Sequence, residues 1–185
     1  MRRSVVVAVL IVLGLLAGGC KEELDTFTVT VPTDSMAPTF HAGQEVSVTE
    51  VADDYEPELG DLVYFEDPGG WLVGGGDEGH LIKRVMGVPG DTIVCCDSAG
   101  RISVNGEAID EASYILPRKT CAGAGVGFGC RWTVGPVPEE SVFVLGDNRG
   151  ASADSRAHMC QPTEDPCSQS PWVPFDSIQG TADPD

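Results

Sequence analysis

Glycine and proline interrupt this chain so often that long helices have little room to form. The 185 residues include 23 glycines and 13 prolines. Proline fixes its own φ and has no N–H to donate, and clusters of the two residues mark turns. A hydrophobic content of 42% still provides enough apolar surface for a folded core in a chain of this length. We therefore expect one domain of short strands joined by turns.

Alternation of polar and apolar residues predicts where the strands lie. Single strands are expected over residues 26–31, 44–49, 60–65, 80–88 and 141–145, and two short strands within 91–109. The glycine-rich stretch 67–79, the irregular segment 110–140 and the tail 162–185 are predicted to be loops. No amphipathic helix of convincing length follows residue 20. The fold class that we predict is all-β, with an antiparallel sheet in a barrel-like or sandwiched arrangement.

The charge balance limits the partners of this chain. Lysine and arginine number 11 against 29 acidic residues, for a net charge of -18. Nucleic-acid binding requires clustered basic residues, so we expect no nucleic-acid partner. An anionic lipid surface would also repel the domain, so membrane residence would require a hydrophobic anchor.

The N-terminus provides such an anchor or an export signal. Arg2 and Arg3 precede an uncharged run, Ser4–Gly19, that ends directly before Cys20. The run is shorter than the roughly 20 residues of a spanning helix and suits a secretory signal. Small residues before a cysteine resemble a bacterial lipoprotein signal, which makes Cys20 a lipidation candidate. The alternative is an uncleaved anchor, and in both cases the arginines stay inside and Lys21 onward lies outside.

The cysteine count agrees with an exported domain. If Cys20 carries lipid, an even set remains, which in an oxidising compartment indicates up to three disulfides. The set comprises Cys95, Cys96, Cys121, Cys130, Cys160 and Cys167. Their connectivity stays open, because adjacent Cys95 and Cys96 can each pair elsewhere. A zinc site formed by His158, Cys160 and Cys167 is the disfavoured alternative, since the spacing matches no common zinc motif. We expect no metal.

Lys83 is a candidate general base. A lysine can accept a proton only when neutral, and its ordinary pKa of about 10.4 leaves almost none in that form at neutral pH. Burial among apolar groups lowers that pKa by several units. In the predicted strand, Leu81, Lys83 and Val85 share one face, which we place on the core side, and Arg84 is expected in solvent on the other. Taken alone, a strand lysine is more commonly exposed.

Ser35 is a candidate nucleophile. Pro32 and Pro38 bracket it and stiffen the loop, which makes the position of its hydroxyl reproducible. A serine hydroxyl is a weak nucleophile and needs an adjacent base. The ordinary alternative is a serine in a surface turn.

Three separated segments together carry a family resemblance. Residues 34–39 read DSMAPT, residues 82–91 read IKRVMGVPGD, and residues 146–156 read GDNRGASADSR. In this order and spacing they resemble the type I signal peptidases, which are serine proteases with a Ser/Lys pair. The resemblance implies an antiparallel β catalytic core with a smaller β subdomain. We assign residues 27–91 and 141–180 to the core and 92–140 to the subdomain, after a signal or anchor over 1–20 and a tether over 21–26; residues 181–185 form a tail.

The resemblance also implies roles for individual residues. Ser35 attacks the substrate carbonyl, and Lys83 takes the serine proton. The backbone N–H of Ser35 and the hydroxyl of Thr33, where many family members have a serine, stabilise the developing oxyanion. No cofactor is required.

Further residues of the third segment are expected to support the pair. Ser152 matches the serine that hydrogen-bonds the lysine amine in the family. Asp154 matches an aspartate that pairs with an arginine near the site, and Arg156 follows it at alternating spacing. Without the family pattern, this segment is an ordinary charged turn.

The expected function follows from these roles. A peptidase of this family would cut signal peptides from exported preproteins, held at the cell membrane through its N-terminal segment, with the catalytic domain on the extracytoplasmic side and as a monomer. Two alternatives stay open: a Ser/Lys peptidase specialised for one exported or conjugation-linked substrate, and a non-catalytic lipoprotein that retains the fold. A Ser-His-Asp triad using His41, His80 or His158 is disfavoured, because none lies in a recognisable triad motif.

Overall fold

The computed structural model describes residues 24–72, 79–98, 100–115, 131–159 and 170–184. Within these ranges the regular structure is β-strand, apart from three short 3-10 helices. The strands are β1 (Thr26–Thr30), β2 (Glu45–Glu50), β3 (Leu62–Glu66), β4 (His80–Gly87), β5 (Ile93–Cys95), β6 (Ser103–Val104), β7 (Glu107–Ala108), β8 (Trp132–Val134), β9 (Ser141–Leu145), β10 (Val173–Pro174) and β11 (Ile178–Ala182). The predicted all-β class is confirmed.

Seven strands form the larger sheet. Its order is β1-β2-β11-β3-β4-β9-β10, and every neighbouring pair is antiparallel. Strand β3 is paired along its whole length with β4, with Val63 opposite Lys83 and Leu62 opposite Arg84. Strand β4 therefore lies inside the sheet, where both of its edges are hydrogen-bonded.

Four shorter strands form a second antiparallel sheet, in the order β7-β6-β5-β8. Its residues fall within the segment 92–140 that the sequence assigns to a subdomain, and the domain boundaries themselves stay a prediction. The two sheets share a core, because Ile93 and Trp132 of the second sheet belong to the same buried cluster as Phe143 and Leu145 of β9.

Strand β9 lies between two cores. Its sequence SVFVL is buried on both faces: Phe143 and Leu145 face the core shared with the second sheet, and Val142 and Val144 belong to another buried cluster. Continuous apolar runs of this kind are typical of strands without a solvent face. The strand ends at Leu145, so the turn that begins at Gly146 starts from a rigid position.

Three strands contradict the loop predictions. The tail was expected to be a loop, but it contains β10 and β11, and β11 pairs with both β2 and β3 in the middle of the larger sheet. Likewise, β8 lies in the segment expected to be irregular. These strands are short or rich in glycine and polar residues, so their local pattern is weak and tertiary pairing decides their conformation. The segment 91–109 contains three strands rather than two.

Candidate active site

Ser35 lies in a short 3-10 helix, Asp34–Met36, that follows β1. The next residue, Met36, is 1% exposed and packs with Phe40 in the core beneath β1 and β2. A carboxylate oxygen of Asp34 accepts a hydrogen bond from Ala42 N at 2.9 Å, which closes the loop on its other side. The serine is therefore presented by a turn that is anchored on both sides.

Residues 146–156, the third motif segment, hold the backbone of this turn. Asn148 N donates to Ser35 O at 3.0 Å, and Asn148 Nδ2 donates to Asp34 O at 3.0 Å. Gly146 packs directly against the same loop, since a Cβ at this position would lie 2.5 Å from Ser35 O and would overlap the Ser152 side chain. Two segments far apart in sequence thus fix each other.

Lys83 reaches Ser35 from β4. Its side chain is 4% exposed, and Nζ donates to Ser35 Oγ at 2.9 Å and to Ile82 O at 3.0 Å. Burial lowers the pKa of Lys83 to about 8, although the carboxylates of Asp154 and Asp147 raise it and offset part of that effect. An amine with this pKa can exist as the neutral base near physiological pH.

Arg84 is buried, contrary to the expectation that it would lie in solvent. Its Nε and Nη2 donate to the two carboxylate oxygens of Asp147 at 2.8 and 2.7 Å, and Nη1 donates to Gly60 O at 2.8 Å. Simple alternation fails here because β4 is covered on both faces, as its burial from Ile82 to Gly87 shows. The bidentate contact provides the pairing that a buried guanidinium requires.

Asp154 and Arg156 form a second buried ion pair. Arg156 Nε and Nη2 donate to the carboxylate of Asp154 at 2.8 and 2.7 Å, and Gly146 N donates to the same carboxylate at 3.0 Å. Burial raises the pKa of Asp154, but Arg156 and these hydrogen bonds outweigh it and hold the pKa below its usual value. The arginine of the pair belongs to the same segment, and the pair fastens the turn after β9.

Ser152 and Thr33 lie next to the pair, but neither is in its predicted interaction. Ser152 is 1% exposed, and its Oγ has no well-formed hydrogen bond within the described residues. The hydroxyl is nevertheless close enough to the Asp154 carboxylate to help lower the pKa of that group. Thr33 is exposed, and its Oγ1 accepts from Ser35 N at 3.4 Å. The roles assigned to both residues stay predictions.

The histidines lie in other contacts. His41 is exposed, with Nδ1 3.5 Å from a carboxylate oxygen of Asp34. His80 stacks on Tyr64 with ring centroids 4.9 Å apart, and His158 stacks on Trp71 at 4.4 Å. The hydroxyl of Ser35 is therefore paired with Lys83, and the structure offers no support for the alternative triad.

Several predictions fall wholly or partly outside the described residues. Cys20, the N-terminal segment 1–20, Cys121, Cys130, Cys160 and Cys167 all do so. Of the described cysteines, Cys95 and Cys96 are in sulfur contact with each other, so neither is placed to pair with a distant partner.

The part of the chain that is described contains no helix long and apolar enough to cross a bilayer. It also contains no group of three or more residues arranged as metal ligands.

Two residues near the site were missed by the sequence analysis. Glu111 contacts Arg149, and the Tyr114 ring lies 4.0 Å from Arg84 Cζ. Neither lies in one of the three motif segments, and no local signal distinguishes Glu111 from the other acidic residues of the chain. The contact arises because the chain between β7 and β8 of the second sheet meets residues 84 and 149, which belong to β4 and to the turn after β9.

The fold and the site define an all-β protein in which a serine hydroxyl contacts a buried lysine amine. The chain belongs to the signal peptidase family, peptidase S26, whose family model matches residues 2–184. The family predicted from the three motifs is therefore confirmed.

Individual relatives are bacterial signal peptidases. The chain is 32% identical to signal peptidase I of Mycobacterium tuberculosis (strain ATCC 25618 / H37Rv) over 82% of this chain and 62% of that protein. It is 34% identical to signal peptidase I S of Bacillus subtilis (strain 168) over 68% of this chain and 64% of that protein. A solved structure of a signal peptidase I from Enterococcus faecalis V583 aligns with a TM-score of 0.42 and 21% identity, covering 69% of this chain and 97% of that one. The chain thus spans about three fifths of the length of the curated relatives that it matches.

Proposed function

We propose that this protein is a membrane-tethered signal peptidase that cleaves signal peptides from exported preproteins, with Ser35 as nucleophile and Lys83 as general base. One observation carries the proposal: Lys83 Nζ lies 2.9 Å from Ser35 Oγ, and the amine is shielded from water. A nucleophile and base within hydrogen-bond reach are the geometric requirement for this chemistry.

The pKa of the amine supports the role of Lys83. With a pKa of about 8, roughly a tenth of the lysine side chains are neutral at pH 7. An ordinary lysine would have only about four neutral side chains in ten thousand at the same pH. The buried site therefore makes the base available without a metal or a cofactor.

The reaction begins with attack on the scissile carbonyl. As Ser35 Oγ bonds to the carbonyl carbon, neutral Lys83 Nζ accepts the hydroxyl proton. The oxyanion that forms is stabilised by Ser35 N–H and by the hydroxyl of Thr33. In the resting structure these two groups bond each other at 3.4 Å, so both must turn toward the substrate oxygen.

The reaction then proceeds through an acyl-enzyme. The Lys83 ammonium donates its proton to the leaving amine, and the signal peptide stays esterified to Ser35. A water molecule then attacks the ester while Lys83 accepts its proton, and the proton finally returns to Ser35 Oγ. Asp154 and Arg156 hold the turn in place during these steps. The Ser152 hydroxyl makes no bond to Lys83 in the resting structure, and its proposed role is to turn toward the amine and hold it during the reaction.

Membrane tethering fits this substrate class. The apolar segment before residue 20 would hold the enzyme at the cell membrane, either as an uncleaved anchor or through lipid on Cys20, with the catalytic domain on the extracytoplasmic side. Signal peptides are themselves apolar and lie in the same bilayer. Confinement of both to one surface raises their effective concentration, so a monomer can find its substrates efficiently.

Preprotein processing by the wild type, Ser35→Ala and Lys83→Met tests the proposal. We expect the wild type to release mature protein and each variant to lose at least about 1,000-fold in rate, since residues that act as a unit fail together. The measurement is the appearance of mature protein in a reconstituted membrane assay.

The control for this test is the thermal unfolding of both variants, which shows that they remain folded. Near-normal processing by either folded variant would contradict the mechanism. Several unrelated preproteins are used as substrates, because cleavage of only one of them would favour the specialised peptidase.

A further inference from the structure

The segment between β7 and β8 of the second sheet contacts two arginines near the catalytic pair. We propose that Glu111 and Tyr114 are positioning residues for Ser35 and Lys83, acting through Arg149 and Arg84. The inference rests on the proposed function, because it assigns these residues a role in the same reaction. It makes the smaller sheet a part of the catalytic apparatus rather than an appendage.

Glu111 pairs with Arg149 in the interior. One carboxylate oxygen of Glu111 contacts Arg149 Nη2, and both side chains are only 4% exposed. A buried charge of either sign is strongly unfavourable without its partner. Glu111 follows β7 of the smaller sheet and Arg149 follows β9 of the larger one, so their pairing depends on how the two sheets pack together.

Arg149 transmits this contact to the catalytic turn. Its Nε donates to Gly146 O at 3.0 Å, and its backbone O accepts from Arg156 Nη1 at 3.1 Å. The same turn carries Asn148, whose backbone N–H donates to Ser35 O. The path from Glu111 to the nucleophile thus consists of Arg149, the turn and one backbone hydrogen bond.

Tyr114 acts on the other half of the pair. Its ring lies 4.0 Å from the guanidinium carbon of Arg84, and its hydroxyl donates to Glu111 Oε1 at 3.3 Å. Arg84 is the neighbour of Lys83 on β4 and is clamped by Asp147. An aromatic face over a guanidinium is attractive and limits its movement. Residues 111–114 therefore contact two arginines: Arg149, in the turn that bonds the backbone of Ser35, and Arg84, the neighbour of Lys83.

The physical consequence is preorganisation. Catalytic groups must be held close to their productive geometry, and a displacement of about 1 Å can cost a hundredfold in rate. Without the Glu111 charge, the Arg149 guanidinium would move toward solvent or toward another acceptor, and its hydrogen bond to Gly146 O would be lost. The turn would then loosen, and with it the backbone of Ser35.

The test compares Glu111→Gln with Glu107→Gln. Glu107 is the matched control, because it lies on β7 close by in sequence but is exposed. For Glu111→Gln we expect kcat on a signal-peptide substrate to fall about 10- to 100-fold while KM changes by less than about threefold. Amide hydrogen exchange at Asn148 N–H should become faster, and Glu107→Gln should change neither quantity.

The two readouts separate the possible failures. If Glu111→Gln lowers only the melting temperature, with kcat and Asn148 exchange unchanged below the transition, the role is merely structural and the proposal is overturned. If the wild type cleaves no signal peptide, the proposed function fails, while the exchange rate at Asn148 still decides the positioning role.

A second set of variants applies if Glu111→Gln does not fold. The double variant Glu111→Gln with Arg149→Met removes both buried charges, so it should fold and still show low kcat and fast exchange at Asn148. Wild-type values of both would overturn the proposal.

The role of the Tyr114 ring is tested separately. Tyr114→Leu removes the ring over Arg84 and should lower kcat more than Tyr114→Phe, which keeps the ring. Equal effects would exclude the ring contact from the mechanism.

Discussion

The burial that lowers the pKa of the Lys83 amine also costs stability. Its pKa is lowered from 10.5 to about 8, mainly by desolvation. The folded protein therefore holds a proton on this residue less tightly than the unfolded chain does. Such a difference between the two states is a contribution to the free energy of unfolding, of about 1.36 kcal/mol for each pKa unit.

Replacement of Lys83 by Met is expected to stabilise the protein at neutral pH. Below pH 8 the wild type carries the full penalty, about 3 kcal/mol, because both states are protonated there. Between about pH 8 and 10.5 the unfolded state binds more protons, so wild-type stability rises with pH and the penalty disappears. Loss of the hydrogen bond to Ile82 O offsets part of the gain, so we expect about 1 to 3 kcal/mol at pH 7.

Urea unfolding of both proteins between pH 7 and 10 measures this difference. The control is Arg101→Met, whose side chain is exposed and whose effect should not vary over the same range. A variant less stable than the wild type at pH 7, or a difference that does not shrink with pH, would contradict the prediction.

At the scale of single elements, the larger sheet depends on a strand with a weak local pattern. Strand β11 reads IQGTA and lies between β2 and β3, with a register shift between Ile178 and Gly180 where it pairs with β3. Its central glycine is needed because the neighbouring strand approaches closely. A Cβ at Gly180 would overlap Val48 Cγ1 and would lie 2.7 Å from Thr49 O.

Gly180→Ala is therefore expected to destabilise the fold by about 2 kcal/mol, since backbone on the neighbouring strand cannot yield as a flexible side chain can. The free energy of unfolding in urea measures the effect. Gly79→Ala serves as the matched control, because among the described residues a Cβ there would meet Asp67 Cβ alone, at an ordinary 3.6 Å. If both substitutions had equal effects, close packing at β11 would not explain the glycine.

At the scale of the whole molecule, two kinds of electrostatic interaction work in opposite directions. The buried pairs Arg84–Asp147, Arg149–Glu111 and Arg156–Asp154 hold the interior together. The net charge of -18 on 185 residues produces mutual repulsion over the surface. Salt screens exposed charges strongly and buried pairs weakly, so the two contributions can be distinguished.

Added salt should therefore stabilise this protein. Raising NaCl from about 0.02 M to about 0.5 M is expected to increase the free energy of unfolding by roughly 1 kcal/mol, which corresponds to about 2–4 °C in Tm. Calorimetry at pH 7 measures the shift, and an uncharged solute at equal osmolality provides the control. A lower Tm in salt would show that exposed ion pairs outweigh the repulsion.

The sequence alone went far toward the family and toward individual residues, because both depend on short segments. Three motifs sufficed to predict a signal peptidase family and to select Ser35 and Lys83. The frequent glycines and prolines, together with the polar and apolar alternation, sufficed for the all-β class. Strands such as β1, β2, β4 and β9 were predicted within two residues at each end, since apolar periodicity encodes which side of a strand is buried.

Only the tertiary structure decided which distant residues meet. Arg84 was expected in solvent, yet it is buried. Both faces of β4 are covered in the folded protein, and the alternation of residue types along the strand does not reveal this. The sequence analysis missed strand β11 and the Glu111–Arg149 pair for the same reason. Both form through contacts with residues far away along the chain, which no local pattern reveals. Local sequence encodes local conformation and residue chemistry, whereas burial and pairing across the molecule depend on how the whole chain packs.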